Sequence, residues 1–339
     1  MKKTLLFYIS ISVFFITSAG CGDNVSKISR PLLGTIVTIT ISGDPEKKSE
    51  DFNTAFNEIE SVQRAFNPYN PESVISKINS RAADKPVKSG EEVFRLIGRS
   101  LEISRITGGA FDITFASTGK LWDFSKEDFT PPDEKTIKKV LPLISYKNII
   151  LDDKNKTVHF LNKGTKIGLG GIAKGYATSK AVSVLKERSV KGAIVASAGD
   201  IQVIGDNNGK PWRAGIQDPR GDSVIAAIDM NDGEAVSTSG DYERFRIVNN
   251  RRYHHIIDPS TGYPADSGLI SVSVFSSDPV LSDAYSTAFF ISGLEKSKQI
   301  LASMPGLSVV FITSDMKVYS SNSLKGRISF RNKLKVVYF

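Results

Sequence analysis

Residues 35–41 read Thr-Ile-Val-Thr-Ile-Thr-Ile, a β-branched run that predicts a strand. Apolar Phe52, Phe56, Ile59, Val62 and Phe66 then recur every three or four residues, the period of one helix face. A second helix is predicted over 91–106, stopped by Gly108-Gly109. Two helices therefore follow one strand. From Trp122 to Pro142 the chain is polar, charged and proline-bearing, which predicts a surface excursion. A hairpin over 148–151 and 157–160 follows, turned by Asp-Asp-Lys-Asn-Lys.

Gly170-Gly171 opens a further helix with Ile172, Tyr176, Ala177, Ala181, Val184 and Leu185 on one face, and Gly192 is expected to close it. Short strands are predicted near 193–196, 200–205, 212–216, 223–229, 244–248 and 252–257, with Asn249-Asn250 turning between the last two. A strand at 270–275, helices at 279–292 and near 294–303, and a closing strand pair complete the chain. There is no internal repeat. Helix pairs alternating with runs of hairpin strands predict an α+β fold whose sheets are covered by helices on one side.

The N-terminus stands apart from this pattern. Lys2 and Lys3 precede an apolar run over 5–17, and Ser18-Ala19-Gly20-Cys21 follows. The run is shorter than the about 20 residues a spanning helix needs, and small residues stand where a peptidase would cut. Residues 1–20 thus read as a secretion signal. With Cys21 directly after Ala-Gly, the segment resembles a bacterial lipoprotein signal, although Ser18 stands where Leu is usual. Cys21 would carry the lipid, residues 21–30 would form a polar tether, and 31–339 the folded body. The expected location is an exported face of a bacterial membrane.

Composition narrows the possibilities further. At 339 residues, with 40% hydrophobic and 24% charged positions, the chain is an ordinary globular protein rather than a disordered or fibrous one. One cysteine and three histidines nearly exclude zinc sites built from those residues. Once Lys2 and Lys3 leave with the signal, 42 basic residues face 36 acidic ones, a mild surplus of 6. The basic residues cluster at Arg244, Arg246, Arg251 and Arg252 and between Lys317 and Lys335, which reads as a solvated face. Nucleic-acid-binding patterns are absent.

Three segments hold chemistry-bearing residues. Gly168-Leu-Gly-Gly-Ile-Ala-Lys-Gly-Tyr-Ala177 puts glycines and Lys174 at a helix start, a phosphate cradle or simply a tight turn, and it fits neither the Rossmann nor the Walker fingerprint. The block Arg252-Tyr-His-His-Ile-Ile-Asp-Pro-Ser-Thr-Gly-Tyr-Pro264 places two histidines near Asp258, which suits proton transfer or a plain strand end and turn. In Ser282-Asp-Ala-Tyr-Ser-Thr-Ala288, Asp283 and Thr287 project from one helix face as hard oxygen ligands suited to magnesium, or as ordinary helix-start residues.

In this order and wording the three segments resemble the ApbE family, the FAD:protein FMN transferases. The resemblance extends to Leu33-Gly-Thr35, Phe66-Asn-Pro-Tyr-Asn-Pro-Glu-Ser73, Gly109-Ala-Phe-Asp112, Ser197-Ala-Gly-Asp-Ile201 and Ser237-Thr-Ser-Gly-Asp-Tyr242. It implies an α+β, T-fold-related, duplicated sheet-and-helix unit with FAD in the central cleft. It implies transfer of FMN, through its phosphate, to a threonine or serine of an acceptor protein bearing Asp-x-x-Ser/Thr-Gly-Ala-Ser/Thr, with release of AMP. Carried over by position, Asp283, Thr287 and the carbonyl near Gly171 would bind magnesium. Leu33, Tyr69, Ala110, Phe111, Asp112, Lys174 and His255 would surround FAD. His255 would be the base, with Asp258 orienting it or shaping the turn.

The chain departs from the family pattern at Gly168, where Asp is common, and at Ala198, where Gly is usual. Asp258-Pro-Ser-Thr-Gly262 begins like an acceptor, but Tyr263-Pro264 breaks the pattern, so no self-modification is expected. The same site would serve a magnesium-dependent FAD diphosphatase, and a non-catalytic FAD-binding lipoprotein is the reading from another class.

Overall fold

The β-branched run forms the strand that its composition predicts, and it is the second of a hairpin. The computed structural model describes residues 25–43, 45–119, 121–331 and 334–339. Strands β1 (Val25–Leu32) and β2 (Thr35–Ser42) pair antiparallel. The expected tether is therefore corrected: residues 25–30 belong to an edge strand. Its residues read as polar because an edge needs only backbone pairing; Arg30 also bonds Asn53 and Ser29 bonds Thr38. The expected signal segment 1–20 and Cys21 lie outside the described residues.

Helix α1 (Pro45–Phe66) buries the predicted Phe52, Phe56, Ile59, Val62 and Phe66. Next come α2 (Val74–Arg81), β3 (Val87–Lys88), α3 (Glu91–Ile106), the short α4 (Glu134–Val140) and the hairpin β4 (Ile149–Asp152) and β5 (Thr157–Phe160). Helix α5 (Ala173–Glu187) ends before Gly192, which instead opens β6 (Gly192–Ser197). A Cβ at Gly192 would lie 2.1 Å from the Asp206 carbonyl, so this glycine serves close strand approach rather than helix termination.

The second half runs through β7 (Asp200–Gly205), β8 (Arg213–Gln217), β9 (Val224–Asp229), β10 (Ala235–Gly240), β11 (Phe245–Val248), β12 (Arg251–His254) and β13 (Leu269–Ser276). Helices α6 (Pro279–Ser292) and α7 (Leu294–Leu301) precede β14 (Ser308–Thr313), β15 (Val318–Ser320), β16 (Ile328–Phe330) and β17 (Val336–Tyr338). Among the described residues no helix is long and apolar enough to cross a membrane.

Nine strands form the main sheet in the order β1-β2-β6-β7-β10-β13-β14-β15-β17. Alternation along β6 explains the layers. Ala193 and Val195 face the large core shared with α1, α5 and α6, while Ile194 and Ala196 face a second core under the small sheet β16-β9-β8. The architecture is α+β, with helices on one face of the main sheet as expected and a three-stranded sheet on the other.

The stretch after Trp122 is an excursion, yet it is anchored. Trp122 and Phe129 are buried with Ile137 and Ile257, against Tyr253 and Tyr263, and the Trp122 indole donates to the Gly262 carbonyl at 2.8 Å. This third apolar cluster ties the excursion to the histidine block.

Candidate active site

Two helix starts meet where the site lies. A Cβ on Gly175, in the first turn of α5, would stand 2.2 Å from the Pro279 carbonyl and 2.8 Å from Asp283 Cβ, so only glycine lets α5 and α6 approach this closely. Across that contact the Gly175 amide donates to Asp283 Oδ2 at 2.8 Å. One donor of the expected phosphate cradle is thus used by the protein's own carboxylate. The amides of Ala173 and Tyr176 are likewise spent on the Leu169 and Ile172 carbonyls.

Asp283 is 2% exposed, and its Oδ1 faces the Lys174 ammonium at 3.5 Å. The same ammonium lies closer, at 2.5 Å, to Oδ2 of the equally buried Asp200 at the β6–β7 turn. Burial pulls the Lys174 ammonium down, but the Asp200 and Asp283 charges together outweigh it and leave it above the ordinary lysine value. Burial, then the Asp200 charge, push the Asp283 carboxyl up, against Lys174 and the Gly175 amide. Lys174 alone therefore does not neutralise this pair of carboxylates.

Thr287 stands one turn beyond Asp283, and its hydroxyl lies 3.2 Å from Ser239 at the end of β10. Ser239 also bonds Ser286 at 2.8 Å. A Cβ on Gly171 would lie 3.7 Å from Thr287 Oγ1 and 3.2 Å from the Phe111 ring, so the missing side chain leaves a small cradle beside the hydroxyl. Among the described residues no group of three or more His, Cys, Asp or Glu is placed to hold a metal. One carboxylate, one hydroxyl and a backbone oxygen beside an open glycine fit a hard cation that takes its remaining ligands from water and phosphate, the habit of magnesium.

The two histidines separate in role. His254 is buried, with Nε2 on the Ala265 carbonyl at 2.9 Å, Nδ1 accepting from the Ile256 amide at 3.3 Å and its ring edge-on to Phe290. It is a neutral structural histidine. His255, just past β12, leaves Nδ1 buried with no partner, and burial, then Arg244, His254 and Lys174, bring its pKa down to about 3. It is neutral at physiological pH and stands in the same field as Lys174.

Asp258 does not orient it. The Asp258 carboxylate accepts from the amide and hydroxyl of Ser260 at 2.8 and 2.7 Å, and its carbonyl accepts from Thr261 and Gly262. Of the two expected roles it takes the turn, because an Asp before Pro-Ser has its own backbone within reach.

The remaining expected residues line up unevenly. Leu33 adopts φ 55° and its amide is held by Gln63, while Phe111 is buried beside Gly171. Ala110 is buried and Tyr69 is 83% exposed, an aromatic face open to a ligand. Asp112 is consumed by structure: it takes Thr114 through Oδ1 and the Tyr146 amide through Oδ2. A Cβ at Gly168 would lie 3.0 Å from Ala116 Cβ, so a larger residue there needs Ala116 to yield.

Asp200 and Glu243 are site residues that the motifs did not single out. Glu243 keeps a solvent-accessible surface but has an oxygen 3.8 Å from where a Gly199 Cβ would be. Desolvation, opposed by Lys174 and reinforced by Asp200, raises its carboxyl above the ordinary glutamate value. Asp200 lies within a quoted motif; nothing local marks Glu243. The arginines beside it also brace the backbone. Arg244 bonds the Gly34 carbonyl, Arg246 the Lys126 carbonyl and Arg252 the Asp241 carbonyl.

Two concavities, of about 390 and 380 Å³, lie away from this cluster, one along the excursion at Leu121–Thr130 and one between the end of α3, the start of α6 and the loop 303–307. The charged groups mark the site.

A model of the ApbE family matches residues 33–311. The chain belongs to the ApbE family. A FAD:protein FMN transferase from Treponema pallidum is 29% identical over 97% of each chain. One from Klebsiella pneumoniae is 30% identical, covering 91% of this chain and 95% of its own. The crystal structure of the ApbE protein from Thermotoga maritima, 34% identical, superposes with a TM-score of 0.83 over 91% of this chain and all of that one. This ApbE-family fold carries the site just described where its helix starts converge.

Proposed function

We propose that this chain is a FAD:protein FMN transferase. The acceptor hydroxyl oxygen bonds to the FMN phosphorus of FAD, the bond from that phosphorus to the AMP phosphate breaks, and AMP leaves as an anion. One observation carries the reading: Lys174, Asp283, Thr287 and Gly171 come together, with Lys174 in the electrostatic field of His255, in a chain whose relatives bear that name.

When magnesium is bound, Asp283, Thr287 and the Gly171 carbonyl would hold it, and its charge would offset the negative charge building on the diphosphate. Lys174 adds a fixed cation on the same side, and the reaction relies on position and electrostatics more than on covalent chemistry. Tyr69, Leu33 and Phe111 supply apolar surface for the flavin, while Ala110 and Asp112 shape the turn that carries Phe111. His255, neutral with one unprotonated ring nitrogen, accepts the proton of the incoming hydroxyl. A pKa near 3 makes a weak base. Besides burial, cationic Arg244 and Lys174 depress it, and an anionic diphosphate between them counters both.

Acceptor proteins carrying Asp-x-x-Ser/Thr-Gly-Ala-Ser/Thr complete the reading, as does export with a lipid on Cys21. The test is to incubate the soluble mature protein with FAD, magnesium and an acceptor bearing that sequence, following AMP and in-gel flavin fluorescence. AMP together with a fluorescent acceptor is the expected result. AMP with free FMN would replace transfer by hydrolysis, and neither product would leave a FAD-binding protein. For the anchor, Cys21→Ser should move the protein from the membrane to the soluble fraction; an unchanged distribution would remove the lipid.

A further inference from the structure

Lys174 is shared unequally between two buried carboxylates, and the inequality has a chemical consequence. Its ammonium is 2.5 Å from Asp200 Oδ2 and 3.5 Å from Asp283 Oδ1. The other oxygen of Asp283 is already fixed by the Gly175 amide at 2.8 Å. Oδ1 is therefore the oxygen through which Asp283 would reach a cation, and Lys174 is its nearest competitor. Both carboxylates are 2% exposed, so water screens these charges poorly.

Resting on the metal reading above, we infer that Asp200 is a positioning residue that draws Lys174 off Asp283 and so keeps Oδ1 available to a divalent cation. Asp200 is placed to do this by the hairpin. It pairs with Ser197 across the β6–β7 turn and with Ser237 of β10, which fixes its backbone on both sides. Lys174 is fixed by the first turn of α5. The ammonium already reaches Asp283 Oδ1 in a long 3.5 Å contact and needs to move less than about an ångström to make it a close ion pair, which is less than one side-chain rotamer change.

Charge counting turns this into a distinct expectation. With both carboxylates ionised, Lys174, Asp200 and Asp283 together carry one net negative charge. Asp200→Asn leaves that trio neutral and lets the ammonium settle on Asp283. Adding Lys174→Met to Asp200→Asn restores one negative charge and removes the competitor. A structural role for Asp200 predicts no such recovery, since the double variant removes one more buried partner.

The test is Mn²⁺ titration of the FAD-free folded protein, read as loss of the free-ion EPR signal, on wild type, D283A, D200N and D200N/K174M, with thermal melts confirming that each is folded. Wild-type binding that D283A abolishes establishes the metal reading independently. Against that baseline, D200N should bind at least about tenfold more weakly and D200N/K174M should return to within about threefold of wild type. D200N equal to wild type, or a double variant as weak as D200N, overturns the inference while the metal reading stands. Wild-type binding that D283A leaves intact, or no binding at all, overturns both.

Discussion

The amide of Gly175 donates to Asp283 Oδ2 at 2.8 Å, which sets a carboxylate of α6 on the positive first turn of α5. The contact exists because Gly175 has no Cβ to strike the Pro279 carbonyl. Gly175→Ala should therefore part the helices, costing about 1–3 kcal/mol as an overpacked core position does. Asp283 moves with them, so metal-dependent AMP release should fall along with the denaturation midpoint. Asp283→Ala should abolish that turnover. Wild-type AMP release by Asp283→Ala would remove the metal assignment.

His255 makes two separate predictions. His255→Ala should slow flavin transfer by about 10²–10⁴ while FAD still binds, the range for a lost general base. Transfer at the wild-type rate would mean another base or none. The depressed pKa also has a stability signature. The folded ring holds out against protonation down to about pH 3, whereas the unfolded ring protonates below about 6.5. Between these values the unfolded chain binds the extra proton, so wild type loses stability as pH falls from about 6.5. His255→Gln removes this loss. Its stability relative to wild type should rise by on the order of 1 kcal/mol between pH 7 and pH 5, a figure reduced for the ring's partial exposure. A pH-independent difference in urea midpoints would contradict the burial of this ring.

Legibility in the sequence followed periodicity and chain proximity. Helix α3 and helix α6 were readable to the residue because long apolar faces end at Gly108 and begin at Pro279. Helix α2, of eight residues, shows only Ile75 and Ile78 buried, too short a run for a period to emerge. Strand β10, Ala-Val-Ser-Thr-Ser-Gly, lacks alternation because the Thr238 and Ser239 hydroxyls bond Ser273 and Ser286 rather than face solvent. At the site, the motif residues Lys174, Asp283 and Thr287 were legible. The approach of Glu243 to the β6–β7 turn was not, since it arises from a hairpin turn and a loop brought together only by the fold. The role of Asp258 needed the hydrogen bonds of Ser260 to decide it.

Ala198 occupies the β6–β7 turn at φ 55°, a left-handed conformation disfavoured for a residue with a Cβ. Its amide bonds the Ile36 carbonyl at 3.3 Å, and Gly199 accepts from Thr238 at 3.2 Å, so the turn continues the sheet and cannot relax freely. Ala198→Gly should stabilise the protein by about 1 kcal/mol, as the left-handed strain is relieved against a smaller entropic cost of glycine. The gain should be read from urea midpoints, with metal affinity unchanged because Asp200 keeps its place. A lower midpoint would show that the turn tolerates alanine without strain.

Trp122 holds the excursion to the histidine block through its indole bond to Gly262 and its packing on Tyr253, with ring centroids 6.0 Å apart. Gly262 is itself fixed, since a Cβ there would meet Ile137 at 2.8 Å. This cluster is separate from the two main cores, so its loss should be felt locally. Trp122→Ala should cost about 3–5 kcal/mol of local stability, and Trp122→Phe, which keeps an aromatic ring but loses the hydrogen bond and part of the indole's packing, about 2 kcal/mol. Amide exchange should accelerate across residues 121–141 and 251–263, while β6 and β13 stay protected. Because Tyr253 lies two residues before His255, transfer should weaken in the same order, Ala more than Phe. Uniform acceleration of exchange through β6 and β13 would instead make Trp122 part of the global core and separate it from the histidine.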